Sequence, residues 1–404
     1  MTKEKKFYKA EPSLRDGAKL AVNAVVLRAI SVAFFLLQAV VVTNTCGAEN
    51  SPDNHRPVSN VLRLERIALF QPAPSRIRSA LVAPNEVTGV GWSSDGSMLA
   101  GYSAFGAAAT IWEASTGRQL KVLNILGRPH VMWQIVFLRD GHQLVTPVTL
   151  TSREDNRFSL SLWNLDSGLV EQNIEGPFGL PVGNDPHALV LSPRGDMLAM
   201  SVTPGGQPVT VYSTRDWSIA QSIKMHEQLR DFDSAASLAF STDGKTLAIG
   251  RISGRVSFHN LSDLNADPVF LDVYSPPHTI NVGAMAYSPD GELLATGAVF
   301  ALTIRPEQEH APVKIWRVAD NSLVRAYPGD AFTVRQLAWS PDGRYLAAAM
   351  DDRAMRIYSP DQADPIVVQK FGGESVYSVS FSPDGQKLAV GTVSGVTIFQ
   401  IQHE

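Results

Sequence analysis

Nine histidines, one cysteine and a carboxylate that recurs beside glycine are the side chains whose spacing bears on chemistry in this chain. The histidines are His55, His130, His142, His187, His226, His259, His278, His310 and His403. Metal ligands on one helix face or one turn need close, regular spacing, as in His-x-x-x-His or Cys-x-x-Cys, and no pair here has it. His130 and His187, each just ahead of a predicted strand, are the two histidines placed to meet as a metal pair. A hydrolase nucleophile on a strand-to-helix elbow would read Gly-x-Ser-x-Gly, and that pattern is missing too. The single cysteine, Cys46, lies just ahead of Ala48. If the chain is cut after Ala48, disulfide, zinc–thiolate and cysteine-nucleophile chemistry all leave with it. No catalytic residue, metal site or cofactor is expected.

The carboxylates have a plainer use. Asp95, Asp140, Asp243, Asp290, Asp342 and Asp384 each precede a glycine, and Arg194-Gly195 stands at the equivalent place in a seventh copy. Successive glycines of this set are 45, 54, 49, 47, 52 and 42 residues apart. The fullest copies read Ser-Pro-Asp-Gly, with proline where φ is already set for a turn and glycine where φ must be positive. These aspartates are therefore turn residues rather than acid–base pairs.

Each turn joins two apolar strands. The strand before it ends in an apolar or aromatic pair such as Gly91-Trp92, Ala239-Phe240, Ala338-Trp339 or Ser380-Phe381. The strand after it reads close to Leu-Ala-x-Gly, as in Leu99-Ala100-Gly101 or Leu388-Ala389-Val390-Gly391, and its small residues permit close packing of neighbouring sheets. A third strand carries a ring at one fixed place: Trp112, Trp163, Tyr212, His259, Trp316, Tyr358 and Phe399. Seven rings in one register imply a packing position, and His259 is read as structural with the rest. A fourth strand, such as 118–123 or 323–327, ends most copies. Four short strands per unit of about 40–50 residues predict blades of a β-propeller. The fold class expected is all-β: seven four-stranded antiparallel blades. The last copy runs out of chain after its third strand, while Val61 to Phe70 forms an unpaired strand pattern ahead of the first copy. Closing the ring with that N-terminal strand removes an exposed edge.

Residues 1–48 differ from the rest. Seven basic groups precede a 14-residue apolar run, Ala29 to Val42, interrupted by Ser31 and Gln38 and followed by Cys46-Gly47-Ala48. That order is the layout of a secretory signal, while a membrane span needs about 20 apolar residues. Three alternatives stand open: a cleaved signal, a retained anchor through residues 20–42, and no export. Residues 49–60 would then be a linker and 61–404 the propeller. Export would place it in the periplasm, free or anchored at the inner membrane and facing the periplasm. Beyond residue 48 the chain holds 28 basic against 36 acidic groups, a net charge of −8. That balance argues against nucleic acid as a partner, since phosphate backbones need a basic footprint.

Residues 337–347 (Leu-Ala-Trp-Ser-Pro-Asp-Gly-Arg-Tyr-Leu-Ala) and 379–389 (Val-Ser-Phe-Ser-Pro-Asp-Gly-Gln-Lys-Leu-Ala), with Lys314-Ile315-Trp316, resemble the WD40 repeat family, in a bacterial exported form. The resemblance covers residues 60–404. It lacks the family's Trp-Asp ending: Trp112 is followed by Glu113, Trp163 by Asn164 and Trp316 by Arg317. It implies a structural hydrogen-bond network through His278, Thr296 and Trp316 in blade 5, and through Asp352 in blade 6.

The resemblance also implies a non-catalytic scaffold that binds a protein partner, as a monomer. Connections between second and third strands and between successive blades share one face, and the insertions fall there. Arg153, Glu154, Asp155, Arg230, Asp231, Phe232, Tyr274, Glu307 and His310 are the expected partner-binding residues. Two other readings stand beside it: a propeller enzyme, lactonase- or hydrolase-like, with a central-channel site, and a membrane-tethered sensor or assembly domain.

Overall fold

The computed structural model describes residues 62–72, 85–103, 108–125, 134–138, 140–151, 156–175, 185–203, 208–225, 234–274, 280–300, 311–329 and 333–403. The chain divides into Met1–Arg56 and Pro57–Glu404, and all described residues lie in the second unit. Among them there are only strands and turns, arranged as seven four-stranded antiparallel sheets. Blade 1 is Gly89–Trp92, Met98–Ser103, Ala108–Glu113 and Gln119–Asn124, paired in that order from the axis outward. Blades 2 to 6 repeat the plan, their innermost strands being Val136–Phe137, Asp185–Leu191, Ala235–Phe240, Ile280–Tyr287 and Val334–Trp339.

Blade 7 is assembled from both ends of the propeller. Val376–Phe381, Lys387–Thr392 and Gly395–His403 come from the C-terminal end, and Leu62–Phe70 supplies the fourth strand. It pairs antiparallel with Gly395–His403, from Leu62 against His403 to Phe70 against Val396. The ring is closed by this N-terminal strand, as its orphan pattern predicts. On the other side of the seam, the Trp92 indole N–H donates to the Ser380 carbonyl (3.0 Å) and the Val87 N–H to the Thr392 carbonyl (2.9 Å). The Trp339 indole makes the corresponding bond to Ala286 between blades 6 and 5 (3.0 Å).

The third-strand rings fall in one register. Trp112, Trp163, Tyr212, His259, Trp316, Tyr358 and Phe399 lie opposite Leu99, Leu144, Leu198, Leu247, Leu294, Leu346 and Leu388. All seven rings are buried, so the position is one of packing. His259 belongs to it, its Nε2 lying 3.0 Å from the Ser257 hydroxyl. The small residues of the second strand admit the next blade. A Cβ on Gly391 would lie 2.7 Å from the Val87 carbonyl oxygen of blade 1, and one on Gly250 would lie 2.6 Å from that of Val282 in blade 5.

Six of the seven first-to-second-strand turns are held by a serine that precedes them. In blades 1, 4, 5, 6 and 7 the hydroxyls of Ser93, Ser241, Ser288, Ser340 and Ser382 donate to Asp95, Asp243, Asp290, Asp342 and Asp384 at 2.5–2.6 Å. Each hydroxyl also accepts the backbone N–H five residues on, at 2.9–3.0 Å. The glycine that follows has φ between 70° and 77° throughout. Blade 3 keeps the device after losing its aspartate: Arg194 occupies the usual place, and Ser192 donates to Asp196 instead (2.7 Å). Blade 2 has Leu138 where the serine would be.

One expected loop is mostly strand. The insertion read at 149–157 instead lengthens a hairpin, with Gln143–Thr151 and Asn156–Asn164 paired through to Thr151 against Asn156. The run Val148-Thr149-Leu150-Thr151 has the β-branched content that favours a pleated strand. In blade 5 the second strand likewise runs on to Phe300.

Candidate interaction face and channel mouth

Antiparallel pairing sends alternate connections to opposite ends of a blade. The Asp-Gly turns and the turns between third and fourth strands share one face of the ring. Connections from second to third strand, and from one blade to the next, share the other. On this second face the described connections are 252–254, 351–353, 371–375 and 393–394.

Arg153, Glu154, Asp155, Arg230, Asp231, Phe232, Glu307 and His310 lie outside the described residues, as do His130 and His278. Tyr274 is described, and it points inward. It is 6% exposed, and its hydroxyl donates to the Pro312 carbonyl (3.1 Å). The Lys314 ammonium sits 4.6 Å from its ring centroid and donates to the Val273 carbonyl (2.7 Å). Desolvation lowers the Lys314 pKa. An aromatic ring that can bury against blade 5 does so, and Tyr274 packs on Lys314 and Pro312 rather than standing exposed on the face. Of the implied blade 5 network, the Trp316 indole donates to the Thr296 hydroxyl (3.0 Å). The same bond links Trp163 to Thr146 in blade 2 (2.8 Å). In blade 6, Asp352 accepts from Arg356 Nη1 (3.0 Å) and from the Ala354 N–H (3.3 Å), which fixes the turn.

A second group of residues on this face was not singled out by spacing. Glu86 just precedes the innermost strand of blade 1, Arg335 lies in that of blade 6, and Tyr377 in that of blade 7. The Arg335 guanidinium lies 5.2 Å from the Tyr377 ring centroid. Arg335 and Glu86 interact electrostatically although blade 7 stands between their blades. All three stand at or just ahead of the starts of innermost strands, so they belong to the same end of neighbouring blades 6, 7 and 1. Arg335 and Tyr377 are each the extra residue of a β-bulge, between Val334 and Gln336 and between Val376 and Ser378. A bulge turns a side chain out of the sheet's alternation. The only mark in the sequence is a charge or a tyrosine four to six residues ahead of Trp92, Trp339 and Phe381.

Glu86 is 5% exposed, and its Oε1 has no hydrogen-bond partner among the described residues. Burial pushes its pKa up to about 7, against the opposing pull of Arg335. Desolvation lowers the Arg335 pKa, while Tyr377, Asp351 and Glu86 act to raise it. Among the described residues no cluster of three or more His, Cys, Asp or Glu is arranged to hold a metal ion. The cleft of about 410 Å³ between blades 1 and 7 opens on the Asp-Gly face, beside Met98, Glu113 and Lys387. Glu113 there is engaged by Thr116 and Arg118, an arrangement of turn residues rather than an acid–base pair.

The family signature described as "WD domain, G-beta repeat" matches residues 321–359 and 366–396, in blades 5 to 7. The chain is 29% identical over 128 residues to periodic tryptophan protein 2 of Saccharomyces cerevisiae, covering 30% of this chain and 12% of that protein. It is 27% identical over 126 residues to the homolog in Neurospora crassa, covering 30% of this chain and 13% of the relative. An uncharacterized WD repeat-containing protein of Synechocystis sp. is 27% identical over 208 residues, covering 51% of this chain and 53% of its own length. The match thus spans about half, or much less, of the length of these curated relatives. The chain is thus a ring of seven four-stranded blades, a β-propeller, in which blades 5 to 7 carry matches to the WD repeat signature. The relatives are named for their repeats, and no reaction appears in those names. Proteins of this class serve generally as interaction scaffolds.

Proposed function

We propose that this propeller is a non-catalytic scaffold that binds a protein partner through the face opposite the Asp-Gly turns. The observation that carries this reading is where the extra length lies. The two longest repeat intervals, 54 and 52 residues, belong to blades 2 and 5: the second and third strands of blade 2 run on towards that face as a longer hairpin, and blade 5 has twelve residues, 301–312, between its second and third strands. The Asp-Gly turns keep one length and one geometry in all seven blades. Loops that vary on a rigid scaffold are where binding residues concentrate. Arg153, Glu154, Asp155, Arg230, Asp231, Phe232, Glu307 and His310 supply charged and aromatic side chains to these loops.

The N-terminal basic and apolar segment supports export, so the partner would be a periplasmic or membrane protein. Among the described residues no helix is long and apolar enough to cross a membrane. The test is co-purification from the native source with Arg153, Arg230 and Phe232 changed to alanine. The expected result is loss of partner proteins with an unchanged melting curve, and a mature N-terminus beyond residue 48 in the same preparation. Unchanged partners would overturn the loop-face reading, and an intact Met1 would refute cleavage.

A further inference from the structure

At three seams of the ring a side chain of one blade holds a turn of the next. Lys121 donates to the Asp166 carbonyl (2.8 Å), Gln221 to that of Leu261 (2.5 Å) and Arg325 to that of Pro360 (3.2 Å). The three donors share one register place on the fourth strand. They stand opposite Ile111, Val211 and Ile315, each the residue before the third-strand ring, and each follows a bulge. In blades 2, 4 and 6 the same place is held by Gln172, Val269 and Val367. Blade 7 has the bulge as well, and opposite Ile398 it places Ala68, the smallest side chain of the seven. Alanine has no polar atom to donate, so the seam between blades 7 and 1 lacks this bond.

The accepting end is in place on blade 1. At the other three seams the acceptors lie two or three residues beyond the third-strand ring, and the matching residues after Trp112 are Ala114 and Ser115. Both line the cleft of about 410 Å³ on the Asp-Gly face. No donor among the described residues reaches either carbonyl. Half-buried Met98 and Leu120 add apolar surface to the cleft, and Lys387 brings an ammonium to it from blade 7. Lys387 acts on Asp384 of its own turn, and Glu113 is held by Arg118 and Thr116, so the cleft calls for no net charge.

We propose that this cleft binds a primary carboxamide carried on a short aliphatic stem. The amide N–H groups donate to the Ala114 and Ser115 carbonyls, the amide oxygen accepts from Lys387, and the stem covers Met98 and Leu120. Gln221 is the internal precedent, since its carboxamide makes the corresponding bond between blades 3 and 4. The guest displaces water from the carbonyls, so much of its affinity comes from burial of the stem. The same chemistry has two sources, a free small amide or a glutamine side chain presented by a peptide. The cleft lies on the face opposite the insertion loops, and the proposal does not rest on their binding a partner.

The test titrates the full chain with butyramide, and with methyl propyl ketone as a control of the same shape without N–H groups, followed by backbone NMR. Short peptides carrying one central glutamine or one central leucine form the second arm. Saturable shifts at residues 113–115 with an amide, and binding of the ketone roughly fivefold weaker or less, are expected. Ala68→Gln supplies the donor from within the chain and should abolish amide binding without lowering the melting temperature. Lys387→Ala, which leaves the packing of Ala68 untouched, should weaken amide binding by roughly fivefold. Binding of butyramide identifies a small-ligand site, whereas binding of the glutamine peptide alone identifies a docked side chain. No saturable shift at these residues with either, equal binding of the ketone, or undiminished binding in Lys387→Ala would overturn the proposal and leave the loop-face reading untouched.

Discussion

A serine hydroxyl that donates to a carboxylate and accepts a backbone N–H does the same work in blade after blade. Ser288 shows it cleanly: it is 1% exposed, donates to Asp290 and accepts the Leu293 N–H at 2.9 Å. The Ser288 hydrogen bond, with that of the Glu292 N–H, lowers the Asp290 pKa. Replacing Ser288 with alanine strands both partners and should cost about 1–2 kcal/mol, read from the urea midpoint. The pH sign follows from the depressed value. Asp290 contributes its stability above the unfolded pKa, near 3.8, and loses it as pH falls through the lower folded value. The gap between Ser288→Ala and the parent should therefore narrow below that range. The turn aspartates were legible in sequence because Asp-Gly demands a positive φ. The serine was present in the motif, but its double role appears only when the hairpin closes. Glu86, Arg335 and Tyr377 were not legible, because the bulges at Arg335 and Tyr377 and the adjacency of blades 6, 7 and 1 are properties of the closed ring.

Elements close this ring more than any single contact does. The strand Leu62–Phe70 buries Leu62 against Phe399 and Ile401 of blade 7, and sets Phe70 6.0 Å from the Trp112 ring of blade 1. It thus stitches the outer edge of blade 7 and reaches across the seam. Deleting residues 49–72 should lower the melting temperature by roughly 10 °C or more, since several buried apolar side chains are lost at once. An unchanged melt would sink the closure account. The strand was foreseeable from a shortage at one end of the chain and a surplus at the other. Its fourth-strand register, with Leu62 opposite His403, came only with the fold. Blade 2 shows the opposite limit. An insertion polar enough to suggest a loop is mostly paired strand, because Thr149 and Thr151, next to Val148, suit a hairpin as well as solvent.

At the scale of the whole molecule, the ring separates two kinds of surface. The Asp-Gly face is uniform, tied down by serine–aspartate pairs and small turns. The opposite face carries the enlarged connections and the channel mouth. A scaffold whose invariant parts sit on one side is suited to recognition on the other, and the acidic balance beyond residue 48 favours protein partners over nucleic acid. The architecture was readable because the repeat recurs seven times. The partner was not, because fold does not carry function. The most direct measurement is chemical cross-linking of the protein with its partner in the native source, mapped residue by residue. The account predicts inter-protein cross-links concentrated at the connections opposite the Asp-Gly turns, above all in blades 2 and 5 and between blades 3 and 4. Cross-links concentrated at the Asp-Gly turns, such as at Lys245 or Lys387, would contradict it.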